Sequence, residues 1–232
     1  MKTHLVKKIL ILAAILALPG FLYYLLTAKG KNRYKPLAIY GQKIVAKTGH
    51  KFHGKYIPDT IYHQLPAFKL TAQDGKQISD STFKGKIMVT GFFYTHCPAV
   101  CSTINRNMSY LVDTYRKNKM VYFTSITVDP QRDSVSVLKK YADSFKPASN
   151  RWLFLTGDTT SIYSLARQGF LVNAIKENDD DFIYSDNLVL IDAEKRIRGY
   201  YKGANTNDIN RLTDEIKVLI AEELRKVDKP LY

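Results

Sequence analysis

The chain has 232 residues, of which 45% are apolar, so it can form a hydrophobic core and disorder throughout is excluded. Its formal net charge of +14 would suit nucleic-acid binding if the charge lay on a folded surface. Residues 1–58, however, hold 11 of the 35 basic residues and none of the 21 acidic ones, so the rest of the chain carries only +3. We therefore expect no nucleic-acid partner.

The first predicted element is an apolar segment, residues 9–27, that contains no charged residue. A helix of this length spans ~30 Å, the thickness of the hydrocarbon core of a bilayer. We interpret it as a single transmembrane signal-anchor that follows a cytoplasmic tail, residues 1–8. A cleaved signal peptide is the alternative, but Leu26 stands where a cleavage site needs a small residue. The basic residues after the span would place the rest of the chain in the cytoplasm by the positive-inside rule.

Residues 28–59 are basic, contain scattered aromatic residues and show no sustained period, which predicts a stalk or linker. The lysines suit either solvent or anionic lipid headgroups. His50 and His53 have a spacing found in metal sites, but two histidines in a loop make a poor site by themselves.

From residue 60 to residue 232 the pattern alternates between strands and helices. Continuous apolar runs at 85–94 and 120–128 predict strands buried on both faces. Further strands are predicted within 152–157 and 187–203, and Asp74–Gly75 predicts a hairpin turn. Apolar residues at helical spacing predict helices after Cys97 and within 134–145, 159–170 and 206–227. This order predicts an α/β domain whose central, mainly parallel sheet is flanked by helices.

The only two cysteines, Cys97 and Cys101, lie where a buried strand is followed by a helix. Side chains four residues apart share a helix face, with Cβ atoms about 5–6 Å apart, so the two sulfurs can converge. The positive end of the helix dipole also favours thiolates there. Two thiolates can hold a soft metal ion or form a redox-active disulfide. A purely structural disulfide is the third interpretation, although a bridge that closes so small a loop restrains the unfolded chain little. We expect the neighbouring His96 to line this site rather than to act as a ligand.

Four motifs in this order resemble the SCO/SenC family of membrane-anchored copper proteins: "THCPAVC", "TVDPQRDSVSVLKKYADSF", "WLFLTGDTTSIYSLA" and "FIYSDNLVLIDAEKRIRGYYKG". The resemblance covers roughly residues 60–220. It implies a thioredoxin-like fold on the outer side of the membrane, so we expect an extracytoplasmic domain despite the count of basic residues. It also implies delivery of copper to the dinuclear copper centre of cytochrome c oxidase, with copper held by the two cysteines and one histidine.

The chain departs from this family at the position of the histidine, which is occupied by Tyr184. No histidine follows His96 anywhere in the sequence. A neutral phenol is a poor donor for Cu(II) at pH 7, whereas two thiolates suit the softer Cu(I). We therefore expect Cys97 and Cys101 to hold Cu(I), with Tyr184 and His96 lining the site.

Two other functions remain open on the sequence. The first is an enzymatic one, a thiol–disulfide oxidoreductase that uses Cys97 or Cys101 on a copper-receiving partner. The second is a scaffold or sensor with weakened copper binding. The expected partner is the copper-bearing subunit of cytochrome c oxidase or another copper or thiol protein.

Several polar residues are predicted to have structural rather than chemical roles. Asp133 or Ser134 is expected to cap the helix that follows "VDPQRD". Arg196, Arg198 and Lys202 are expected at the surface of the last hairpin. The acidic segment 177–181 is predicted to be a solvated loop that could also attract a basic partner.

Overall fold

The structure is a computed structural model that describes residues 2–28, 36–52, 54–97, 99–146, 150–177 and 182–228. Helix α1, Lys2–Ala28, belongs to a unit of its own and contains Pro19. Its segment Val6–Leu25 is long and apolar enough to cross a membrane. This helix agrees with the span predicted for residues 9–27.

The second unit begins at Pro36 and contains the alternating strands and helices predicted from the sequence. Its strands are β1 Lys43–Phe52, β2 Lys55–Tyr62, β3 Lys69–Ala72, β4 Gln77–Ser79, β5 Ile87–Phe93, β6 Val121–Thr127, β7 Trp152–Thr156, β8 Ala174–Lys176, β9 Phe182–Tyr184, β10 Asn187–Ile191 and β11 Ile197–Lys202. Its helices are α2 Ala99–Thr114, α3 Val135–Ser144, α4 Thr159–Ser164 and α5 Thr206–Asp228, with a 3₁₀ turn at Asp80–Phe83 and a π turn at Leu165–Gly169.

A seven-stranded sheet in the order β11-β10-β5-β6-β7-β3-β4 forms the centre of this unit. Strands β5, β6 and β7 are parallel to one another, as predicted. The outer strands pair antiparallel. The pairs β10–β11 and β3–β4 are hairpins joined by short turns, which require antiparallel pairing, and β10 and β3 also run antiparallel to β5 and β7. The sheet is therefore mixed, and the predicted parallel pairing holds only for its central strands.

Two hydrophobic clusters cover the two faces of the sheet. Successive side chains of β5 point to opposite faces, so Val89 lies in the first cluster and Met88 in the second. Helices α2, α3 and α5 supply apolar residues such as Met108, Leu138 and Leu212 to the first cluster. Helix α4 and the π turn supply residues such as Ile162 to the second. Because both faces are covered, polar chemistry is confined to the ends of the central strands.

Residues 43–62, most of which fall in the predicted linker, form an antiparallel hairpin of β1 and β2. Just before it, Tyr40 donates a backbone hydrogen bond to the Ile197 carbonyl at 2.9 Å, which joins this segment to β11. The compact unit therefore starts before residue 60. This hairpin could not be predicted from the sequence, because its residues are largely exposed and show no apolar alternation.

A buried ion cluster fixes the entry of the chain into this unit. The Arg198 guanidinium lies 3.1 Å from Asp192 Oδ2 and 2.7 Å from Glu222 Oε2. It also donates to the backbone carbonyls of Leu37, at 2.8 Å, and Ala38, at 3.1 Å. The prediction that Arg198 lies at the surface is therefore wrong, since its side chain is only 3% exposed. The error arises because a buried arginine with complementary partners has the same sequence signature as an exposed one.

Removal of the Arg198 side chain should strongly destabilise the protein. Arg198→Ala removes one of the two arginines paired with the buried Asp192 and leaves Arg196 at 2.8 Å, so we expect a cost of about 3 kcal/mol, the low end of the range for breaking a buried ion pair. The free energy of unfolding, measured by urea denaturation of the detergent-solubilised protein, should fall by that amount. As a control, Lys217→Ala removes the exposed pair with Asp214 and should cost only about 0–1 kcal/mol. Equal losses in the two variants would contradict this account of the cluster.

Candidate metal and redox site

The two cysteines lie at the carboxyl end of β5, where the chain turns into α2. Cys97 precedes the helix and Cys101 lies in its first turn, because α2 begins at Ala99. Their Cα atoms are 5.9 Å apart, and the sulfurs form a disulfide. The expected convergence of the two sulfurs is thus present, with the helix beginning two residues after Cys97.

The two sulfurs differ in their surroundings. Cys101 is only 1% exposed and packs among the apolar residues of the first cluster. Cys97 is half-buried and contacts both hydrophobic clusters at their margin. A molecule approaching from solvent therefore meets Cys97 first.

Tyr184, at the end of β9, lies against the disulfide. Its hydroxyl oxygen is 2.8 Å from Cys101 Sγ and 3.1 Å from Cys97 Sγ. Disulfide sulfurs carry no hydrogen, so the hydroxyl is the donor in this contact. The side chain that replaces the family's histidine is thus placed within reach of both sulfurs.

Burial keeps the Tyr184 hydroxyl protonated. Loss of solvation, followed by the nearby Tyr94 and Asp186, raises the pKa of Tyr184 to about 12. The Tyr94 ring packs edge-on against it, with centroids 5.7 Å apart, and also contacts Phe182 at 4.8 Å. At neutral pH the site therefore presents a neutral phenol rather than an anionic oxygen to the sulfurs.

A buried carboxylate holds the loop that carries Cys97. Asp133 is fully buried and accepts hydrogen bonds from the Thr95 backbone at 3.1 Å and the Thr95 hydroxyl at 2.5 Å. It also accepts one from the hydroxyl of Thr127, at the end of β6. Ser134 is the residue that caps α3, since its side chain accepts from the Val137 backbone. Sequence reasoning named Asp133 only as a possible cap and missed this role, because Thr95 lies 38 residues away in the sequence.

Among the described residues, His50, His63 and His96 contact groups other than the two sulfurs. His96 is exposed, and its Nδ1 lies 3.1 Å from the Thr95 hydroxyl. His50 lies on β1, where it pairs with Asp59 at 3.0 Å, while His53 lies outside the described residues. Among the residues that the structure describes, no group of three or more histidine, cysteine, aspartate or glutamate side chains could hold a metal ion.

An open depression of 440 Å³ adjoins the site and includes Tyr184 in its wall. Polar residues, among them Asn173 and Asp186, line it together with Leu171 and Tyr200. The acidic segment predicted before Tyr184 lies outside the described residues except for the exposed Glu177. The depression gives a partner molecule access to the edge of the cysteine site.

A mixed sheet between two helical layers, with a cysteine pair where a central strand turns into a helix, defines a thioredoxin-like protein. The SCO1/SenC family model matches residues 60–221, and the chain belongs to this family. It is 27% identical over 167 residues to the SCO1 protein homolog of Bacillus subtilis, covering 71% of this chain and 86% of that protein.

Two solved structures are similar to this one. The first is BsSco, which is described as a member of the Sco family of cytochrome c oxidase assembly proteins and as having a disulfide switch. It is 25% identical to this chain with a TM-score of 0.61, and the match covers 67% of this chain and 92% of that chain. Arabidopsis thaliana ScoI, with copper bound, is 28% identical with a TM-score of 0.57; the match covers 69% and 98% of the two chains.

Loss of the Asp133 carboxylate should loosen the cysteine loop and destabilise the protein. Asp133→Ala leaves the donors of Thr95 and Thr127 without this acceptor, and each unsatisfied buried group costs about 1–3 kcal/mol. We expect a loss of about 3 kcal/mol in the free energy of unfolding, measured by urea denaturation of the oxidised protein. The control Asp143→Ala removes an exposed carboxylate from the next helix and should change it by less than about 1 kcal/mol. A neutral effect of Asp133→Ala would rule out the anchoring role.

Proposed function

We propose that this protein is a membrane-tethered copper carrier that assists assembly of the copper centre of cytochrome c oxidase, and that Cys97 and Cys101 hold the copper as Cu(I). The observation that carries the proposal is the convergence of the two sulfurs at the end of β5. Family membership supports it, as do the copper bound to one structural relative and the assembly role given for another. Copper is here the cargo of the protein.

The donor set supports Cu(I) rather than Cu(II). Thiolates are soft ligands that suit Cu(I), whereas Cu(II) prefers tetragonal sites with nitrogen or oxygen donors. The third group beside the sulfurs is the Tyr184 phenol, whose pKa of about 12 keeps it neutral and therefore a weak donor. The exposed His96 makes its described contact with Thr95 and not with the sulfurs.

Copper binding requires the reduced form of the pair. In the disulfide the two sulfurs are bonded to each other and neither is a thiolate, so two electrons must be supplied before the site can accept the ion. Oxidation of the loaded pair by a partner disulfide, which would take up the two electrons and become a dithiol, would conversely release the ion. Loading is thus coupled to the redox state of Cys97 and Cys101.

We place the second unit on the extracytoplasmic side of a single transmembrane helix. The apolar length of α1 supports a span. The disulfide supports an oxidising compartment, since such bonds are rare where cytosolic reductants act. The partner is then the copper-bearing subunit of the oxidase, or another copper or thiol protein exposed on the same side.

A second candidate function is thiol–disulfide exchange with a partner protein. The unequal exposure of the two sulfurs favours it, because one accessible and one buried sulfur suit the attacked and the leaving atom of such an exchange. The two functions share the cysteine pair and differ in whether the reduced pair retains copper.

The reduced protein should bind one Cu(I) tightly through both cysteines. An anaerobic titration of the full chain in detergent against a competing Cu(I) chelator measures the affinity. Cys97→Ser and Cys101→Ser should each weaken binding by more than about 100-fold, because loss of a ligand costs more than loss of an outer-shell partner. His96→Ala should bind like the unmodified protein, since this side chain is exposed. If the unmodified reduced protein fails to bind Cu(I), the copper-carrier proposal is wrong and thiol exchange is favoured.

A histidine at position 184 should create affinity for Cu(II). Tyr184→His places an imidazole, a good donor for Cu(II), on the residue that reaches both sulfurs. Cu(II) titration followed by electron paramagnetic resonance should show a new site with sulfur and nitrogen ligands. Tyr200→His adds a histidine to the same depression at a residue whose hydroxyl instead contacts Phe170, and it should produce no such site. An unchanged Cu(II) affinity in Tyr184→His would contradict the proposed geometry.

A further inference from the structure

We propose that Tyr184 is a catalytic residue of disulfide exchange at this site, because its hydroxyl stabilises Cys101 as the leaving sulfur when a dithiol partner reduces the disulfide. The inference rests on the redox coupling in the proposed function, but it needs no copper. It gives the residue that replaces the histidine a chemical role of its own.

The direction of the hydrogen bond supports this role. The hydroxyl has one proton and two sulfurs within reach, and in the oxidised protein neither sulfur has a proton to donate. Cys101 Sγ is the nearer acceptor, at 2.8 Å against 3.1 Å for Cys97 Sγ. The donor is therefore already directed at the sulfur that the exchange would leave with a negative charge.

Exposure determines which sulfur is attacked. Cys97 is half-buried at the margin of the two clusters, whereas Cys101 is only 1% exposed beneath it. An incoming thiolate must approach along the line of the disulfide bond, and Cys97 is the more exposed of its two ends. The first attack is therefore on Cys97 Sγ, and Cys101 Sγ is the atom that leaves.

The exchange then proceeds in two balanced steps. A thiolate of the partner dithiol bonds to Cys97 Sγ, the bond between the two sulfurs breaks, and its electron pair goes to Cys101 Sγ. The second thiolate of the partner next attacks its own sulfur in this mixed disulfide and releases Cys97 Sγ. The partner loses two electrons and becomes a disulfide, and the two protons from its thiols are taken up by the reduced pair.

Tyr184 acts in the first of these steps, in which Cys101 Sγ leaves as a thiolate. A thiolate leaves faster when its negative charge is stabilised, and water cannot reach a sulfur as deeply buried as that of Cys101. A hydroxyl already in place makes a charge-assisted hydrogen bond as the charge develops, which is stronger than its bond to the neutral disulfide. The hydroxyl keeps its proton and acts as a hydrogen-bond donor only.

The test compares the rates at which dithiothreitol reduces the disulfide in three forms of the full chain in detergent. Tyr184→Phe keeps the ring but removes the donor, so reduction at pH 7 should slow about tenfold, measured by acid quenching and alkylation of the free thiols. Tyr200→Phe removes a tyrosine hydroxyl from the same depression that bonds to the Phe170 carbonyl, and its rate should be unchanged. Equal rates for Tyr184→Phe and the unmodified protein, or an equal slowing in Tyr200→Phe, would overturn the proposal.

A second measurement separates a chemical role from loss of packing. The reduction potential against glutathione should fall in Tyr184→Phe, with a shift of up to about tenfold in the equilibrium constant, or about 30 mV for two electrons. Loosened packing around the disulfide would instead speed its reduction. A faster reaction in Tyr184→Phe therefore rejects the role.

Cu(I) titration of the same variants keeps this inference distinct from the copper-carrier proposal. Tyr184→Phe should bind Cu(I) as tightly as the unmodified protein, because a neutral phenol contributes little as a ligand. If the unmodified protein binds no copper yet Tyr184→Phe slows reduction, the carrier proposal fails and the present one stands. If the unmodified protein binds Cu(I) but Tyr184→Phe is reduced at the same rate as the unmodified protein, the proposal for Tyr184 fails and the copper-carrier proposal stands.

Discussion

Strand β5 is buried at all seven of its residues, between one layer of helices on each side, and this constraint determines where chemistry can occur in the protein. Within β5 the one polar side chain, Thr90, is buried and bonds to Thr124 of the neighbouring strand, so a solvent-accessible site can form only where the strand ends. Cys97 is the fourth residue after that end, and Cys101 follows in the first turn of α2. The same core that stabilises the domain therefore fixes the position of the sulfurs. Asp133 joins the loop that precedes Cys97 to the end of the neighbouring strand β6.

Features that depend on local sequence could be predicted, whereas features that depend on contacts between distant parts of the chain could not. The strands β5 and β6 and the helix α2 follow from local apolar patterns, and the convergence of the two sulfurs follows from their spacing. The hairpin β1–β2 and the antiparallel pairing of β10 with β5 and of β3 with β7 depend on pairing partners, which a local pattern does not encode. The burial of Arg198 and the contacts of Asp133 could not be predicted for the same reason, since they depend on partners from other segments.

For Tyr184, the position beside the site was predictable from the sequence, but the contacts of its side chain were not. Its position beside the site was predicted only by resemblance to a family in which a histidine stands there. The structure adds that the ring lies between Tyr94 and the sulfurs with its hydroxyl directed at them. A phenol in this place offers no nitrogen donor to a metal ion, but it can donate a hydrogen bond to the sulfurs.

The cluster around Arg198 has a practical consequence for anyone who prepares this protein without its apolar helix. A fragment that begins at residue 60, where the family match starts, would lack Leu37 and Ala38 and would cut through strand β2. The buried guanidinium would then lose two of its carbonyl acceptors while keeping its charge. A fragment that begins at Pro36 retains these acceptors and the whole hairpin, so it is the version to express for crystallisation or spectroscopy.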